Sequence, residues 1–358
     1  MMLAGFVGAA AYGQGHTDVV WERTGTNGPR LIQEGAVYGR IIRLRSGALL
    51  CGYERDGRCW VKRSEDEGRT WGQELLAAQS SVGGAANPEV LSLADGRILL
   101  CINERPTDRR SPFRILTRFS RDEGKTWTDG SVIYTADSDP RNGCWEPCAR
   151  HLPNGEILLF FANESPYRHS DEQEISVVRS RDGARSWSAT ETAAFRKGHR
   201  DGMPVPLLLP DGTLLMAIED NGNGPLQPAV IRYTKSDLSA FTAVGGESDQ
   251  RIFPVRPPLA KDRYAGAPYL CLLKDGTVLL SSQSDENGHN QRMVVYTGTP
   301  PYRTFSNRSE PFLLPTQTAG NWNSLFVLNS DTVFALSSTA IGGRFGLWMA
   351  TGHLVSRP

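Results

Sequence analysis

The sequence has no excess of charge of either sign. Its 358 residues include 39 Lys and Arg against 39 Asp and Glu, so the formal net charge is zero. A nucleic-acid-binding domain usually carries a basic surplus, and an interaction tail appears as a run of like charges. Because the chain has neither, we predict no nucleic-acid partner. The neutral balance suits an uncharged substrate.

Long apolar runs and metal-binding cysteine patterns are also absent. No segment is apolar over the roughly 20 residues that a membrane-spanning helix needs, so we predict no membrane association. The six cysteines form no Cys-x-x-Cys pair, which is the usual mark of a structural zinc site. We therefore expect buried free thiols, no metal and no organic cofactor.

The first residues, MMLAGFVGAAAYGQG, are apolar and small but carry no positive charge at their start. This composition predicts that residues 1–15 are a secretory signal peptide or its remnant, with a packed or disordered segment as the alternative. The protein would then be secreted or periplasmic. Residues 16–358 would form a single catalytic domain.

One phrase recurs six times along the chain: an apolar stretch, a tight turn and a second apolar stretch. The copies begin at Leu44, Leu93, Leu152, Leu209, Leu273 and Leu328, at intervals of 49 to 64 residues. All but the last turn carry the Asp-Gly, Asn-Gly or Ser-Gly pair of a β-hairpin. Repeats of this size predict an all-β, six-bladed β-propeller with four-stranded antiparallel blades. The strand-like segment Asp18–Arg23 is predicted to complete the sixth blade and close the ring.

A second motif follows the first two hairpins. Ser64–Trp71 and Ser120–Trp127 both read S-x-D-x-G-x-T-W, and a looser copy spans Ser180–Trp187. Asp can cap the amides of such a turn, Gly supplies a positive φ, and Trp packs between strands. The motif resembles the Asp-box of the sialidase superfamily, which implies a sialidase-like propeller. Because these turns lie far from the catalytic pockets of that superfamily, none of their residues is assigned to the site.

Polar residues are predicted to line one rim of the propeller. Antiparallel geometry places the start of each inner strand beside the end of the second strand, opposite the hairpin turn. Such a polar ring favours a sugar-binding funnel, although solvated rim positions are often polar without any function. The inner-strand starts are Arg40, Asn87, Glu146, Asp201, Ala267 and Trp322–Asn323, and the second-strand ends are Glu54, Asn103, Ala162, Glu219 and Gln283.

Glu146 and Glu219 differ from the other rim residues because they should reach one pocket from adjacent blades, 3 and 4. Paired carboxylates perform glycoside hydrolysis: one protonates the leaving oxygen, and the other attacks the sugar or activates water. The apolar neighbours of Glu146 in Cys144–Pro147 would raise its pKa, which favours it as the acid/base. Glu219 would then be the nucleophile or base. Glu54 and Asp201 are competing candidates.

Several segments, taken with these motifs, resemble glycoside hydrolase family 93. They are Trp145–Pro147, Asp201–Pro204, Ala265–Tyr269 and the stretch from Asn87 to the second Asp-box-like turn, and together they cover about residues 35 to 330. The resemblance implies a retaining exo-1,5-α-L-arabinanase that releases arabinobiose from linear arabinan. It also implies that Glu146 is the acid/base and Glu219 the nucleophile. Retention implies carboxyl groups about 5–5.5 Å apart.

The implied substrate is an oligo- or polysaccharide of the arabinan type, bound by a monomer. We expect it to contact Arg40, Asn87, Trp145, Asp201, Tyr269 and Trp322. The family also uses a tyrosine close to the nucleophile. Tyr264 and Tyr269 are candidates for it, and Trp322 occupies a rim position where such a tyrosine could stand.

Other functions fit the same fold. A sialidase would need three arginines around the substrate carboxylate, an aspartate acid/base and a tyrosine nucleophile. Arg40–Ile42 lacks the proline of the sialidase Arg-Ile-Pro motif, and Glu146 replaces the aspartate, so a sialidase is less favoured. Another exo-glycosidase, a non-catalytic glycan- or protein-binding propeller and a polysaccharide lyase are further alternatives. The lyase would use His151 or His199, but a packed histidine is the simpler reading of His151.

Overall fold

The computed structural model describes residues 16–288 and 290–357, and the predicted signal segment 1–15 lies outside the described residues. The described chain consists almost entirely of short antiparallel strands, with two single-turn 3-10 helices. No described helix has the length and apolarity needed to span a membrane. Within the same residues, no cluster of three or more His, Cys, Asp or Glu side chains is arranged to hold a metal ion.

The strands form six sheets, each a blade of the propeller. Two strands come before the first blade: β1 (His16–Trp21) and, after the 3-10 helix Gly25–Asn27, β2 (Arg30–Glu34). Blade 1 contains β3 (Val37–Arg43), β4 (Leu49–Arg55), β5 (Arg58–Ser64) and β6 (Leu75–Ala78). Blade 2 contains β7 (Gly83–Ser92), β8 (Ile98–Pro106), β9 (Arg114–Ser120) and β10 (Thr128–Thr135).

The remaining blades repeat this order. After the 3-10 helix Pro140–Asn142, blade 3 contains β11 (Cys144–His151), β12 (Ile157–Asn163), β13 (Glu174–Ser180) and β14 (Glu191–Ala194). Blade 4 contains β15 (Asp201–Leu208), β16 (Leu214–Asp220), β17 (Gln227–Tyr233) and β18 (Arg251–Ile252). Blade 5 contains β19 (Ala265–Leu272), β20 (Val278–Ser284), β21 (Arg292–Gly298) and β22 (Ser306–Ser309). Blade 6 contains β23 (Gly320–Val327), β24 (Thr332–Ile341) and β25 (Arg344–Arg357).

The ring closes at blade 6, where the N-terminal strand meets the C-terminal one. Strand β1 pairs antiparallel with β25 from His16 opposite Arg357 to Trp21 opposite Gly352. Strand β2 also pairs with β25, nearer the start of that strand, from Arg30 opposite Met349 to Glu34 opposite Gly346. The predicted six-bladed propeller and its closure by the N-terminal strand are therefore confirmed, although the strand ends at Trp21 and not at Arg23.

The core lies between neighbouring blades, because each sheet presents apolar side chains on both faces. Between blades 3 and 4, for example, Phe160 and Val177 pack in one cluster with Met216 and Ile218, all fully buried. Full burial of one such side chain contributes about 1.5–3 kcal/mol. All six cysteines are buried free thiols.

The three Asp-containing turns share one hydrogen-bond pattern. In the first, Asp66 Oδ1 accepts a hydrogen bond from the Thr70 amide at 2.9 Å and Oδ2 accepts one from the Thr70 hydroxyl at 2.6 Å. These bonds lower the pKa of Asp66 to about 2. In the third turn Ala184, at φ 66°, fills the place that Gly68 holds in the first. All three follow the third strand of a blade, so they lie on the face that carries the hairpin turns.

Each inner strand is interrupted by a bulge near its start. The bulge shifts the register of all six pairs of inner and second strands. It places one non-glycine residue per blade at a φ between 43° and 58°, a left-handed conformation that costs about 1–3 kcal/mol. These residues, called the bulge positions below, are Tyr38, Asn87, Glu146, Met203, Ala267 and Trp322.

Candidate active site

The bulge positions face a second ring of residues at the upper rim, the edge where inner strands start and second strands end. On each second strand, one residue pairs with the residue just before the bulge. These residues, called the clamp positions, are Glu54, Asn103, Ala162, Glu219, Gln283 and Ser338.

Most clamp positions hold the bulge of the following blade through its backbone amide. The Asn87 amide donates to Glu54 Oε2 at 3.3 Å, and the Ala267 amide donates to Glu219 Oε1 at 2.5 Å. The same bond joins Trp322 to Gln283 at 2.7 Å and Tyr38 to Ser338 at 3.1 Å. The clamp therefore links blades whether its side chain is an acid, an amide or a hydroxyl.

Blade 3 departs from this pattern, because Ala162 at its clamp position carries no acceptor. The Met203 amide in blade 4 donates instead to Glu146 Oε2, at 3.1 Å. Glu146 thus replaces a clamp residue while standing at a bulge position itself. The carboxyl group is drawn across the blade interface toward blade 4.

Glu146 and Glu219 line one cavity of about 390 Å³, together with Trp145, Glu164, Gln173 and Arg200. Both carboxyl groups contact the Gly202–Met203 dipeptide. A side chain at Gly202 would bring its Cβ to 3.3 Å from Glu219 Oε2, so the glycine leaves room for that carboxyl group. The carboxyl pair predicted from adjacent blades therefore meets in one cavity.

The two carboxyl groups have different electrostatic surroundings. Burial and the charge of Glu219 raise the pKa of Glu146 to about 8, against the opposing effects of Arg105 and the Met203 amide. Burial also raises the pKa of Glu219, but the Ala267 amide and the Arg200 guanidinium stabilise its charged form. Because the pKa of Glu146 lies above neutral, Glu146 keeps a proton at neutral pH, whereas the contacts of Glu219 favour its carboxylate form.

Trp145 forms one wall of the cavity, and charged residues fix its edge. The indole Nε1 donates to Glu164 Oε2 at 2.9 Å. Arg200 binds the other Glu164 oxygen and also donates to Gln173 Oε1 at 2.7 Å. Sequence reasoning assigned no role to Glu164 or Gln173, because both lie on connections between strands, where no repeat pattern positions a side chain.

Tyr264 lies beside Glu219. Its hydroxyl accepts a hydrogen bond from Gln283 Nε2 at 2.9 Å. A side chain at Gly266 would clash with both the Tyr264 hydroxyl and Glu219 Oε1, so these two oxygens flank the same glycine. Burial and the charge of Glu219 raise the pKa of Tyr264. Of the tyrosines considered from the sequence, Tyr264 is thus the one next to Glu219.

Arg40 and Tyr269 lie below the rim, and the expectation that they contact the substrate is corrected. Each is two residues beyond its bulge position, which places it one layer further down the central channel. Arg40 is buried, 3.8 Å from the Glu89 carboxylate and 5.1 Å from the Tyr269 ring centre. Both line a separate cavity of about 500 Å³ at the opposite end of the channel.

Asp201 is a buried structural residue, which corrects its prediction as a substrate contact or nucleophile. It lies two residues before its bulge position, and its side chain is fully buried. Arg251 donates to both of its carboxylate oxygens, at 2.7 and 2.6 Å, and also to Asp220 at 2.8 Å. This ion triad ties the outermost strand of blade 4 to its inner strands.

Asn87 and Trp322 occupy the bulge positions of blades 2 and 6. Asn87 is buried, and its side-chain oxygen accepts a hydrogen bond from Arg105. Trp322 is 38% exposed, which leaves its indole open at the rim, three blades away from Glu146. A substrate contact by Trp322 stays a prediction.

Comparisons with known proteins add a family and a set of similar folds. The family model of the BNR repeat-like domain matches residues 19–170 and 114–237. A search of curated proteins finds no match. Among solved structures, an α-L-arabinofuranosidase from Fusarium graminearum, in complex with an iminosugar inhibitor, has a TM-score of 0.71 at 18% identity. The similarity covers 96% of this chain and 98% of that one.

Two further structures have the same fold. An α-L-arabinanase from Penicillium chrysogenum, complexed with arabinobiose, has a TM-score of 0.70 at 19% identity, covering 95% of this chain and 98% of that one. A Hadza microbial sialidase has a TM-score of 0.63 at 14% identity, covering 91% and 68% of the two chains. At these identities the similarity establishes the fold alone.

Proposed function

Because the chain belongs to the family of BNR repeat-like domains, whose fold carries many functions, its activity must be inferred from its site. We propose that it is an exo-acting, retaining glycoside hydrolase that releases arabinobiose from linear arabinan. The observation that carries this proposal is the pair Glu146 and Glu219, two carboxyl groups in one cavity with the proton held on Glu146.

In the first step Glu219 attacks the anomeric carbon while Glu146 protonates the departing glycosidic oxygen. The sugar becomes covalently bound to Glu219, and the rest of the chain leaves as an alcohol. In the second step Glu146, now a carboxylate, removes a proton from water, which displaces Glu219 with the same stereochemistry as the substrate. The raised pKa of Glu146 suits a group that must first donate and then accept a proton.

The surrounding residues support these roles. The Ala267 amide at 2.5 Å orients Glu219 Oε1 and stabilises its charge, which leaves Oε2 as the attacking oxygen. The Tyr264 hydroxyl lies beside the same carboxyl group. The indole of Trp145, anchored by Glu164, provides a flat apolar surface against which a sugar ring can pack.

A neutral arabinan is favoured over a sialylated substrate. The two arginines that line the cavity already have carboxylate partners: Arg200 binds Glu164, and Arg141 binds Asp139. These two therefore do not form the cluster of three arginines that a sialidase needs around the substrate carboxylate. The likeness to an arabinofuranosidase and an arabinanase in complex with inhibitor or product supports the choice of arabinan. A polymeric substrate also suits a secreted or periplasmic protein, as the N-terminal segment predicts.

Product analysis on linear arabinan tests this function. The wild type should release a single disaccharide from the chain end, with the anomeric configuration retained when the products are followed by NMR. Glu219→Gln should release essentially none, and Glu146→Gln should release it at least about 100-fold more slowly. Cleavage of sialyl-lactose by the wild type, or an inverted product, would contradict the proposal.

A further inference from the structure

Arg105 is a charged residue above the rim that the proposed mechanism does not use. It lies near the end of β8, two residues beyond the clamp position Asn103. The pairing of β7 with β8 continues past the bulge to Gly83 opposite Pro106, so blade 2 rises above the level of the carboxyl pair. This extension carries Arg105 next to blade 3.

Neutral groups hold the guanidinium of Arg105 in place. Its Nε donates to Asn103 Oδ1 at 2.9 Å, and one Nη donates to Asn87 Oδ1. The guanidinium carbon lies 5.2 Å from the centre of the Trp145 ring. Two amide oxygens and an aromatic face therefore orient the half-buried side chain, and the remaining N–H donors of the guanidinium are left for a ligand.

The charge of Arg105 has no carboxylate partner. Within residues 16–288 and 290–357 no Asp or Glu oxygen lies within ion-pair distance of it, whereas Arg200 is paired with Glu164 and Arg114, on the same blade, with Glu104. The charge acts instead on the rim acids, since it opposes the rise in the pKa of both Glu146 and Glu54. A cation fixed beside Glu146 without a carboxylate partner is available to hydrogen-bond the hydroxyl groups of a substrate.

The order of blades around the ring indicates which part of the substrate Arg105 would meet. Glu219 is on blade 4, Glu146 on blade 3 and Arg105 on blade 2. In a retaining displacement the leaving group departs on the side opposite the nucleophile and takes its proton from the acid/base. The leaving sugar therefore extends from Glu146 away from blade 4, toward blade 2.

We propose that Arg105 binds the hydroxyl groups of the leaving sugar, the residue whose glycosidic oxygen Glu146 protonates. The proposal rests on the glycosidase function above and adds the location of the leaving-group subsite. Arg105 forms this subsite with the Trp145 face, while the cavity lined by Glu164 and Arg200 takes the sugars that are released.

Two substrates with different leaving groups test the subsite. Linear arabino-oligosaccharides have a sugar as leaving group, whereas an aryl α-L-arabinobioside has a phenol that needs neither the subsite nor full protonation. Arg105→Met should lower kcat/KM on the oligosaccharides by about 10- to 100-fold, the range for losing a hydrogen bond to a charged group. On the aryl substrate it should change less than about threefold. The alkaline limb of its pH profile should also move to higher pH, because a cation that lowers the pKa of Glu146 is gone.

Two further variants separate this role from a structural one. Arg110→Met removes the same charge from an exposed position on blade 2 and should leave both substrates and the pH profile unchanged. Arg105→Lys keeps the charge but loses the planar donors, so its pH profile should match the wild type while the oligosaccharides are cleaved more slowly.

An equal loss on both substrates, or no loss on either, would overturn the subsite. A wild type that cleaves the aryl substrate but not arabinan would overturn the exo-arabinanase proposal and the subsite with it. If the wild type cleaves both arabinan and the aryl substrate, and Arg105→Met cleaves both at the wild-type rate, the subsite alone is wrong.

Discussion

Two glutamates of the upper rim occupy equivalent places in different blades. Comparing them distinguishes the structural role of such a residue from the catalytic role proposed for Glu219. Glu54 in blade 1 and Glu219 in blade 4 both stand at clamp positions and both accept a hydrogen bond from the bulge amide of the next blade. Burial raises the pKa of both. The preceding blades differ, because the bulge position before Glu54 holds Trp322, whereas the one before Glu219 holds Glu146.

The comparison shows that an acid at a clamp position is a structural feature of this ring. Gln283 and Ser338 make the same link without a charge. The site in blades 3 and 4 becomes distinct only because a second carboxyl group stands at the bulge position, where Ala162 leaves an amide for it to bind. At this interface the side chain that holds the bulge amide is also the group that the proposed hydrolysis uses as its proton donor, in one cavity with Glu219.

Replacing each of the two clamp acids, Glu219 and Glu54, by glutamine should give the largest difference in activity between them. Glutamine keeps the acceptor that holds the bulge, as Gln283 does, but cannot attack a sugar. Glu219→Gln should therefore lose about 10⁴-fold or more in kcat, as enzymes do when a nucleophile is removed, with little change in melting temperature. Glu54→Gln should stay within about threefold of the wild type. Steady-state kinetics and thermal unfolding of both variants check this, and comparable activity losses would erase the distinction.

The proton on Glu146 should determine the alkaline limb of activity. An acid/base must be protonated to act, so kcat/KM should fall as the pH rises through about 8. Glu146→Gln should remove this limb and cost about 10²- to 10⁴-fold on arabinan, and less on an aryl substrate. A pH–rate profile that declines already near pH 5 would contradict the protonation state described here.

The same pKa gives a prediction for stability. A carboxyl group whose folded pKa is raised contributes stability fully only below its unfolded pKa of about 4.3, and this contribution is lost as the pH rises toward 8. Glu146→Gln does not titrate, so its melting temperature relative to the wild type should increase between pH 5 and pH 9. A difference that does not change with pH would count against a proton bound at Glu146.

Asp201 should show the opposite profile to Glu219: a large effect on stability without a role in the chemistry. Asp201→Ala leaves Arg251 buried with one of its two carboxylate partners, a change that costs about 3–5 kcal/mol. Denaturant unfolding measures this loss. At a temperature where the variant is folded, its pH–rate profile should keep the wild-type limbs, and a displaced limb would show that Asp201 takes part in the proton transfers.

Trp322 should give the smallest effect. Its amide, which the variant keeps, makes the clamp contact, and only its exposed indole is available to a sugar. Trp322→Ala should raise KM for long arabinan by about three- to tenfold, the size of one aromatic contact, with kcat unchanged. An increase of KM for short oligosaccharides as well would place the indole closer to the carboxyl pair than blade 6 allows.

Much of this architecture could be predicted from the sequence, because every hairpin turn but the last is recognisable as a Gly preceded by Asp, Asn or Ser between two apolar stretches. Antiparallel geometry then brings Glu146 and Glu219 to one rim. What could not be predicted was the bulge, which displaced the positions inferred for Arg40 and Asp201 by two residues. A proline follows the bulge position in four blades, at Pro88, Pro147, Pro204 and Pro268, and could have aligned Met203 with Glu146.

Other site residues carry no such local signal. Arg105 and Glu164 have their roles through contacts made across blades, with Trp145 and with Arg200 respectively. Blades 1 and 6 have Gly39 and Asn323 in place of the proline, so even that signal is absent there. Tertiary contacts of this kind follow from the closed ring and not from any single repeat.

The pairing of β1 with β25 has a consequence for how the protein is made. The strand that leaves the ribosome early must wait for a partner that is synthesised at the far end of the chain. At about 5–20 residues per second this delay is roughly 20–70 seconds. During that time Val19 and Trp21 have no core to enter, and the unpaired edge of β1 can join another chain. Nascent chains of this protein should therefore depend on chaperones, and slower translation should increase misassembly between copies.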